Sequence, residues 1–164
     1  MAISESEVAA YLTAKLGQSV AVKKLKQSFP GISRETWFAT VEVAGKEQGF
    51  ALRIDPPEGS GGPSPLSFEW EVYSRLYKTE IPVAEPLWFE PAPALTQGRP
   101  LMVRRLVEGS STIAGLYDNT PEAEQLRRKV AYECVERLAQ VHKLDWRAAG
   151  LHEIMPVPAS AASA

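Results

Sequence analysis

Residues 36–54 read TWFATVEVAGKEQGFALRI, and their pattern predicts the central part of the fold. Two runs rich in β-branched and aromatic residues, 36–43 and 48–54, flank the turn sequence AGKE, which predicts two antiparallel strands. Upstream, residues 20–29 alternate only in part, which predicts a further strand with a bulge near Lys24. The three runs together predict three consecutive antiparallel strands.

Helical patterns stand before and after these strands. Ser4 followed by Glu7 forms a capping box that predicts a helix over residues 4–16, and Gly17 is a typical helix stop. The other predicted elements are a loop at 30–35, a flexible loop at 55–65, a helix at 66–78, short strands at 87–89 and 101–107, and a long helix from Pro121 to about Leu144 capped by Asp118 or Thr120.

Composition and charge exclude several classes of protein. The 164 residues are 45% hydrophobic with a net charge of −2, which excludes extensive disorder and gives no general attraction to nucleic acid. No run approaches the roughly 18 apolar residues of a membrane span, and residues 1–12 lack the pattern of a secretory signal. One cysteine and two histidines are too few for a zinc cluster, and we expect Cys134 to be a small buried residue. These features predict a cytoplasmic protein without nucleic-acid or membrane partners.

The order of the predicted elements is a helix, three strands, a helix, two strands and a final helical segment. This order predicts an α+β fold, namely a five-stranded antiparallel sheet with a packed helix, as in a protein-kinase-like N-terminal lobe. We expect that lobe to span residues 1–107, with a hinge and the first helical segment of a second lobe at 108–151 and a flexible tail at 152–164.

Five segments carry a resemblance to a known family. They are PGISRETWFATV, GFALRIDPP, LSFEWEVYSRLYKTEIPVAEPLWFE, GRPLMVRRLVEGSS and ERLAQVHKLDWRAAGL. Together they cover nearly all of residues 20–151, and in order and spacing the chain resembles the aminoglycoside phosphotransferase family, whose kinase-like members include choline-kinase-like enzymes. The resemblance implies an ATP-dependent transfer of the γ-phosphate to a hydroxyl group of a small molecule.

The resemblance also implies an ion pair at the nucleotide phosphates. Arg53 corresponds to the basic residue, often lysine in the family, that contacts the α- and β-phosphates. Glu69 corresponds to the helix acid that pairs with it, and Glu71 is the alternative. From position alone, Arg53 is equally an ordinary strand-end charge and either glutamate an ordinary solvated residue.

Further nucleotide contacts follow from the same resemblance. Ser33, Arg34 and Thr36 correspond to the loop that covers the phosphates, where a hydroxyl group and backbone N–H groups bind phosphate oxygens. The backbone at Arg105 and Val107 corresponds to the inter-lobe hinge that binds adenine. Backbone contacts leave the choice between ATP and GTP open.

The catalytic residues of the family are missing from this sequence. They belong to an H-G-D-x-x-x-x-N pattern and to a later Asp that holds Mg²⁺, and no His-Gly-Asp occurs here. We therefore expect a chain truncated before the catalytic lobe, without Mg²⁺ ligands and unable to transfer a phosphoryl group by itself. The hydroxyl-bearing acceptor, which the missing lobe selects in this family, stays open.

An alternative interpretation is a non-catalytic binding or assembly module. The long helix carries apolar residues at Leu126, Val130, Leu138 and Val141, and we expect this face to be exposed when the large lobe is absent. Such a face favours self-association or docking to a separate chain that carries the missing lobe. An inactive fragment that still folds is a further alternative.

Overall fold

Five strands form one sheet in the computed structural model, which describes residues 3–28, 34–56, 64–110 and 112–155. The strands run in the order β1-β2-β3-β5-β4, and every neighbouring pair is antiparallel. Their bounds are β1 (Val20–Gln27), β2 (Glu35–Val43), β3 (Lys46–Ile54), β4 (Pro86–Glu90) and β5 (Leu101–Arg105). The prediction of a five-stranded antiparallel sheet is confirmed.

The same described ranges contain three α-helices: α1 (Glu5–Leu16), α2 (Leu66–Leu76) and α3 (Pro121–Lys143). Short 3-10 helices occupy Ala94–Thr96 and Leu151–Glu153. The predicted N-cap of α1 is confirmed, since the Ser4 side chain accepts from the Glu7 N–H and the Glu7 side chain accepts from the Ser4 N–H. Thr120, rather than Asp118, caps α3, because its side chain accepts the N–H of Ala123.

Local strand predictions hold with small shifts at the ends. The pairing of β1 with β2 shifts between Val22 and Lys24, at the predicted bulge. The turn between β2 and β3 is only Ala44-Gly45, with φ of 50° and 73°, so β3 begins at Lys46. A two-residue turn with both φ values positive matches the twist of an antiparallel hairpin, which is why it is shorter than the predicted AGKE. At the other end of the sheet, β5 stops at Arg105, two residues before its predicted end.

One face of the sheet packs against α1. The register aligns Trp37, Leu52 and Val103 across three strands, and all three are buried on this face. Val8 and Leu12 of α1 are completely buried in the same cluster. Burial of these apolar side chains is the main stabilising contribution of the sheet.

The opposite face of the sheet contacts α2. Because successive strand residues alternate between faces, Arg53 lies opposite to Leu52 and in line with Thr36 and Met102. Two contacts place α2 over this face: the Trp70 ring stacks 6.4 Å from the Phe89 ring, and the Tyr73 hydroxyl accepts from Arg104 at 2.7 Å. The ring of Phe89 is on the same face, since Phe89 pairs with Met102.

The chain divides into two compact units. The first comprises Met1–Ser74 and Ala84–Val107, and the second comprises Arg75–Val83 and Glu108–Ala164. Cys134 on α3 in the second unit is exposed, so the expectation that it is buried was wrong. It lies in the stretch 131–138 of α3, in which every residue is exposed. Among the four described ranges, no helix combines the length and apolar character that a membrane span requires.

Candidate functional site

An ion pair joins the end of β3 to the first turns of α2. Arg53 Nη2 donates to Glu69 Oε2 at 3.2 Å, and Arg53 Nε lies 3.1 Å from Glu69 Oε1 without the alignment of a hydrogen bond. The two side chains are 22% and 17% exposed. The proximity that the sequence predicts for these residues is therefore present, and Glu69 is the α2 acid that contacts Arg53.

Arg34, the residue immediately before β2, belongs to the same cluster. Its Nη1 lies 3.4 Å from Glu69 Oε2, the oxygen that also accepts from Arg53. Its Nε donates to Asp55 Oδ1 at 2.9 Å, and its Nη2 donates to the Ser64 carbonyl at 2.6 Å. The Arg34 side chain is only 7% exposed. Arg34 is thus engaged with protein groups on three sides.

Asp55 is a member of this cluster that the sequence interpretation missed. Its side chain is buried beside Arg34, and its Oδ2 accepts the N–H of Leu66, the first residue of α2, at 3.3 Å. An acidic group at a helix N-terminus satisfies a free backbone donor and interacts favourably with the helix dipole. The available signal was an acid directly after the β3 run and before the proline pair of DPP.

The charges of this cluster balance. Arg34 and Arg53 supply two positive charges, and Asp55 and Glu69 supply two negative charges. Balanced pairing is what allows several ionised groups to be largely removed from water. Both carboxylates are already bound to guanidinium groups, so they are poor candidates for a metal site. Within the described part of the chain, no group of three or more acidic, histidine or cysteine side chains could hold a metal ion.

The predicted phosphate-covering loop falls partly outside the described residues, and Ser33 is among those not described. Thr36 is described and pairs directly with Arg53 across β2 and β3. Its carbonyl accepts the Ser28 N–H at 2.8 Å. The structure therefore brings Arg34 and Thr36 to the face that carries Arg53.

The predicted hinge follows directly from β5. The Arg105 N–H is already donated to the Glu85 carbonyl at 2.9 Å, and the Leu106 N–H to the Gly49 carbonyl at 3.0 Å. The Arg105 guanidinium lies over the Phe50 ring, 5.2 Å from its centre. Val107 stands just beyond the strand and is 67% exposed. Of the two predicted hinge residues, Val107 is the one in open surroundings.

Gly49 on β3 permits a close approach of Leu106, the first residue after β5. A Cβ at this position would lie 2.8 Å from the Leu106 Cβ, closer than side chains approach in proteins. The absence of a side chain at Gly49 thus lets Leu106 pack directly on β3. This contact positions the start of the predicted hinge.

Comparisons with known proteins identify the family and the fold. The family model named phosphotransferase enzyme family matches residues 28–162. A crystal structure from Ralstonia eutropha JMP134, of a protein whose proposed activity is that of an aminoglycoside phosphotransferase, is 20% identical with a TM-score of 0.65. The match covers 93% of this chain and 42% of that one, so the present chain spans less than half the length of that protein. No curated protein matches the chain. The family model covers most of the sequence and the solved structure has the same fold, so this chain belongs to the phosphotransferase enzyme family.

Proposed function

We propose that this chain is the nucleotide-binding half of an ATP-dependent phosphotransferase that phosphorylates a hydroxyl group of a small molecule. The observation that carries the proposal is the ion pair between Arg53 at the end of β3 and Glu69 on α2. In kinase-like enzymes a basic residue on this strand, held by a helix glutamate, contacts the nucleotide phosphates. Family membership and the sheet order support the same assignment.

In this proposal Arg53 is the phosphate-binding residue. A guanidinium has five N–H donors in a planar fork, and Glu69 accepts from one of its nitrogens. The remaining donors suit the α- and β-phosphate oxygens, because arginine binds phosphate through paired hydrogen bonds. Thr36, directly opposite on β2, would add a contact from the adjacent strand. The family resemblance implies a further contact from Ser33, which lies outside the described residues.

Adenine would bind at the hinge through backbone atoms. The Arg105 N–H is occupied by the Glu85 carbonyl, so Arg105 would contribute its carbonyl oxygen and Val107 its N–H. This pair offers one acceptor and one donor, which is the pattern that the edge of adenine requires. Both ATP and GTP need testing, because backbone atoms alone discriminate weakly between bases.

The phosphoryl-transfer step itself is not assigned to residues of this chain. The sequence has no His-Gly-Asp, and the site carboxylates Asp55 and Glu69 are bound to guanidinium groups. These residues do not fit a Mg²⁺ site. In this proposal the acceptor hydroxyl, its activating base and the metal would depend on the family's second lobe.

The proposal is tested by thermal unfolding of the purified chain in the presence of MgATP or MgGTP. At a nucleotide concentration ten times Kd, binding to the folded state should add about 1.4 kcal/mol, or roughly 3–6 °C for a chain of this size. The Arg53→Ala variant should lose most of this ligand-induced shift, whereas Arg53→Lys should retain more of it. Arg128→Ala is the matched control, because the Arg128 side chain is 72% exposed on α3, where it pairs with Glu124.

The comparison uses the shift caused by the nucleotide, not the absolute melting temperature, because Arg53→Ala also removes an ion pair. An unchanged melting temperature with millimolar MgATP and with MgGTP would contradict the proposal. A shift that persists in full in Arg53→Ala would contradict the role of Arg53.

A second candidate function is that of a non-catalytic docking module. On α3, Leu138 and Val141 are 54% and 51% exposed, while Leu126 and Val130 on the same face are partly buried. The C-terminal part of the expected apolar face is thus open for a partner chain or a second copy. Light scattering over a concentration series, compared between the wild type and Leu138→Glu, tests this candidate. If both proteins have the mass of a monomer at every concentration, the result would contradict self-association through this face.

A further inference from the structure

The carboxylate of Glu69 is shared by two arginines. Its Oε2 accepts from Arg53 Nη2 at 3.2 Å and lies 3.4 Å from Arg34 Nη1. A glutamate with one partner on a helix surface keeps considerable side-chain freedom, and each additional partner restricts it. The conformation of Glu69, and with it that of Arg53, therefore depends on where Arg34 is held.

Two further groups bind the Arg34 guanidinium, one from the segment after β3 and one from the segment before α2. Asp55 after β3 accepts from its Nε at 2.9 Å, and the Ser64 carbonyl before α2 accepts from its Nη2 at 2.6 Å. Both side chains of the Arg34–Asp55 pair are only 7% exposed. A planar guanidinium bound at Nε, Nη1 and Nη2 has a single orientation available, which makes it a rigid connector.

Asp55 extends the same connection to the helix backbone. By accepting the Leu66 N–H at 3.3 Å it fixes the first turn of α2, the turn that carries Glu69. The distance between α2 and the end of β3 is thereby set by buried hydrogen bonds. An exposed ion pair alone would set it weakly.

We propose that Arg34 is a positioning residue for the nucleotide site, which acts through Glu69 on Arg53 and does not itself touch phosphate. The inference rests on the proposed function, because it assigns Arg53 to the phosphates. Its basis is that the guanidinium of Arg34 is buried and engaged on three sides, while that of Arg53 is more exposed. The role proposed for Arg34 thus differs from the phosphate contact that the family resemblance implies for the loop that contains it.

Charge explains what removal of Arg34 would do. Without it, Asp55 loses its charged partner, and Arg53, the partner of Glu69, is the remaining positive charge of the four-residue cluster. Two buried negative charges attract the Arg53 guanidinium more strongly than one. Arg53 would then be drawn toward the protein and away from phosphate oxygens, so nucleotide affinity falls although Arg53 is present.

The first test is a double-mutant cycle on MgATP affinity, measured by calorimetry with wild type, Arg34→Met, Arg53→Met and the double variant. A positioning role predicts that Arg34→Met weakens binding about tenfold alone, the size expected for coupled neighbours, but less than twofold in the Arg53→Met background. A direct phosphate contact would instead weaken binding by the same factor in both backgrounds, and this result would overturn the inference. Arg34→Lys should fail to restore affinity, because a single ammonium group cannot bind three separate acceptors in one plane.

Arg99→Met is the matched control. Arg99 also pairs with a carboxylate, Glu35 at 2.9 Å, and donates to the backbone carbonyl of Asp55 at 3.1 Å, but from the α1 face of the sheet. It should lower thermal stability and leave the MgATP dissociation constant unchanged. An equal loss of affinity in Arg99→Met and Arg34→Met would overturn the inference, since both losses would then be general structural effects.

The second test needs no nucleotide. In ¹⁵N-arginine spectra, the Nε–H signal of Arg53, identified by its loss in Arg53→Met, should shift in Arg34→Met and Arg34→Lys and stay in place in Arg99→Met. An unmoved signal together with normal MgATP binding by the wild type would overturn only the positioning role. If the wild type binds neither MgATP nor MgGTP, this result would contradict both the proposed function and this inference.

Discussion

The substitution Tyr11→Phe tests how α1 is attached to the sheet. The Tyr11 hydroxyl donates to Glu90 Oε1 at 2.5 Å and accepts from Trp88 Nε1 at 2.7 Å, so one oxygen links α1 to two residues of β4. Lys15, one turn further along α1, contacts the same Glu90 oxygen at 2.6 Å. The substitution removes only the hydroxyl group and keeps the ring that packs near Trp88.

The expected cost is about 2 kcal/mol of unfolding free energy. A hydrogen bond to a charged acceptor contributes about 1.5–3 kcal/mol, and a neutral one about 0.5–1.5 kcal/mol. Partial exposure reduces this sum, because Lys15 and Glu90 keep 35% and 26% of their side-chain surface and water can replace a lost partner. The corresponding drop in melting temperature is about 4–8 °C for a chain of this length.

The pH dependence of this loss has a definite sign. Burial favours the neutral form of Glu90, but the hydrogen bonds from Lys15 and Tyr11 and the charge of Lys15 outweigh it and hold the pKa below its usual 4.5. A carboxyl group with a lowered pKa stabilises the folded state above its unfolded pKa and loses that contribution as the pH falls through its folded pKa. The gap between wild type and Tyr11→Phe should therefore be full at pH 7 and narrow below about pH 4.5.

Urea unfolding followed by tryptophan fluorescence measures the gap, with Tyr132→Phe as the control. Tyr132 is 73% exposed on α3, so its loss of a hydroxyl should change stability by less than about 0.5 kcal/mol. If Tyr11→Phe costs no more than Tyr132→Phe, the hydroxyl does not hold α1 on the sheet. A gap that stays constant down to pH 3 would contradict the contribution of ionised Glu90.

Two further predictions concern single substitutions, one in β3 and one at the N-cap of α1. Gly49→Ala should lower the free energy of unfolding by about 1–3 kcal/mol, because the new Cβ would lie 2.8 Å from the Leu106 Cβ. Urea titration measures this loss of stability. Gly45→Ala is the comparison for backbone strain without a clash, because a Cβ there meets nothing within 4 Å while φ is +73°. Ser4→Ala should cost about 1 kcal/mol by opening the capping box with Glu7, and hydrogen exchange should rise in the first turn of α1; unchanged exchange there would contradict the capping role.

Much of the fold was predictable because strand and helix patterns are local. The β-branched residues of β2 and β3 and the turn between them lie within 20 residues, and the bulge near Lys24 appears as a break in alternation. The helix cap at Ser4 depends on a partner three residues away. The pair of Arg53 with Glu69 was predicted through the family resemblance, since neither residue is unusual by position alone.

Other features required the tertiary structure because their partners are far apart in the chain. The sequence orders β4 before β5, but it is β5 that pairs with β3, and this places Met102 beside Arg53. The contact between Tyr11 and Glu90 joins residues 79 positions apart. No local pattern reports such pairs, since they arise only when the sheet has assembled.

The sequence by itself therefore determined the elements, their order and the family, because each depends on short-range patterns and recurring segments. Only the tertiary structure showed which groups Arg34 binds. From the sequence and the family resemblance, Arg34 is expected to be a loop residue that contacts phosphate. Folding buries its guanidinium between Asp55 and Glu69. The physical reason is that an arginine side chain reaches several possible partners, and the assembled protein selects those that satisfy its charge and its hydrogen bonds away from water.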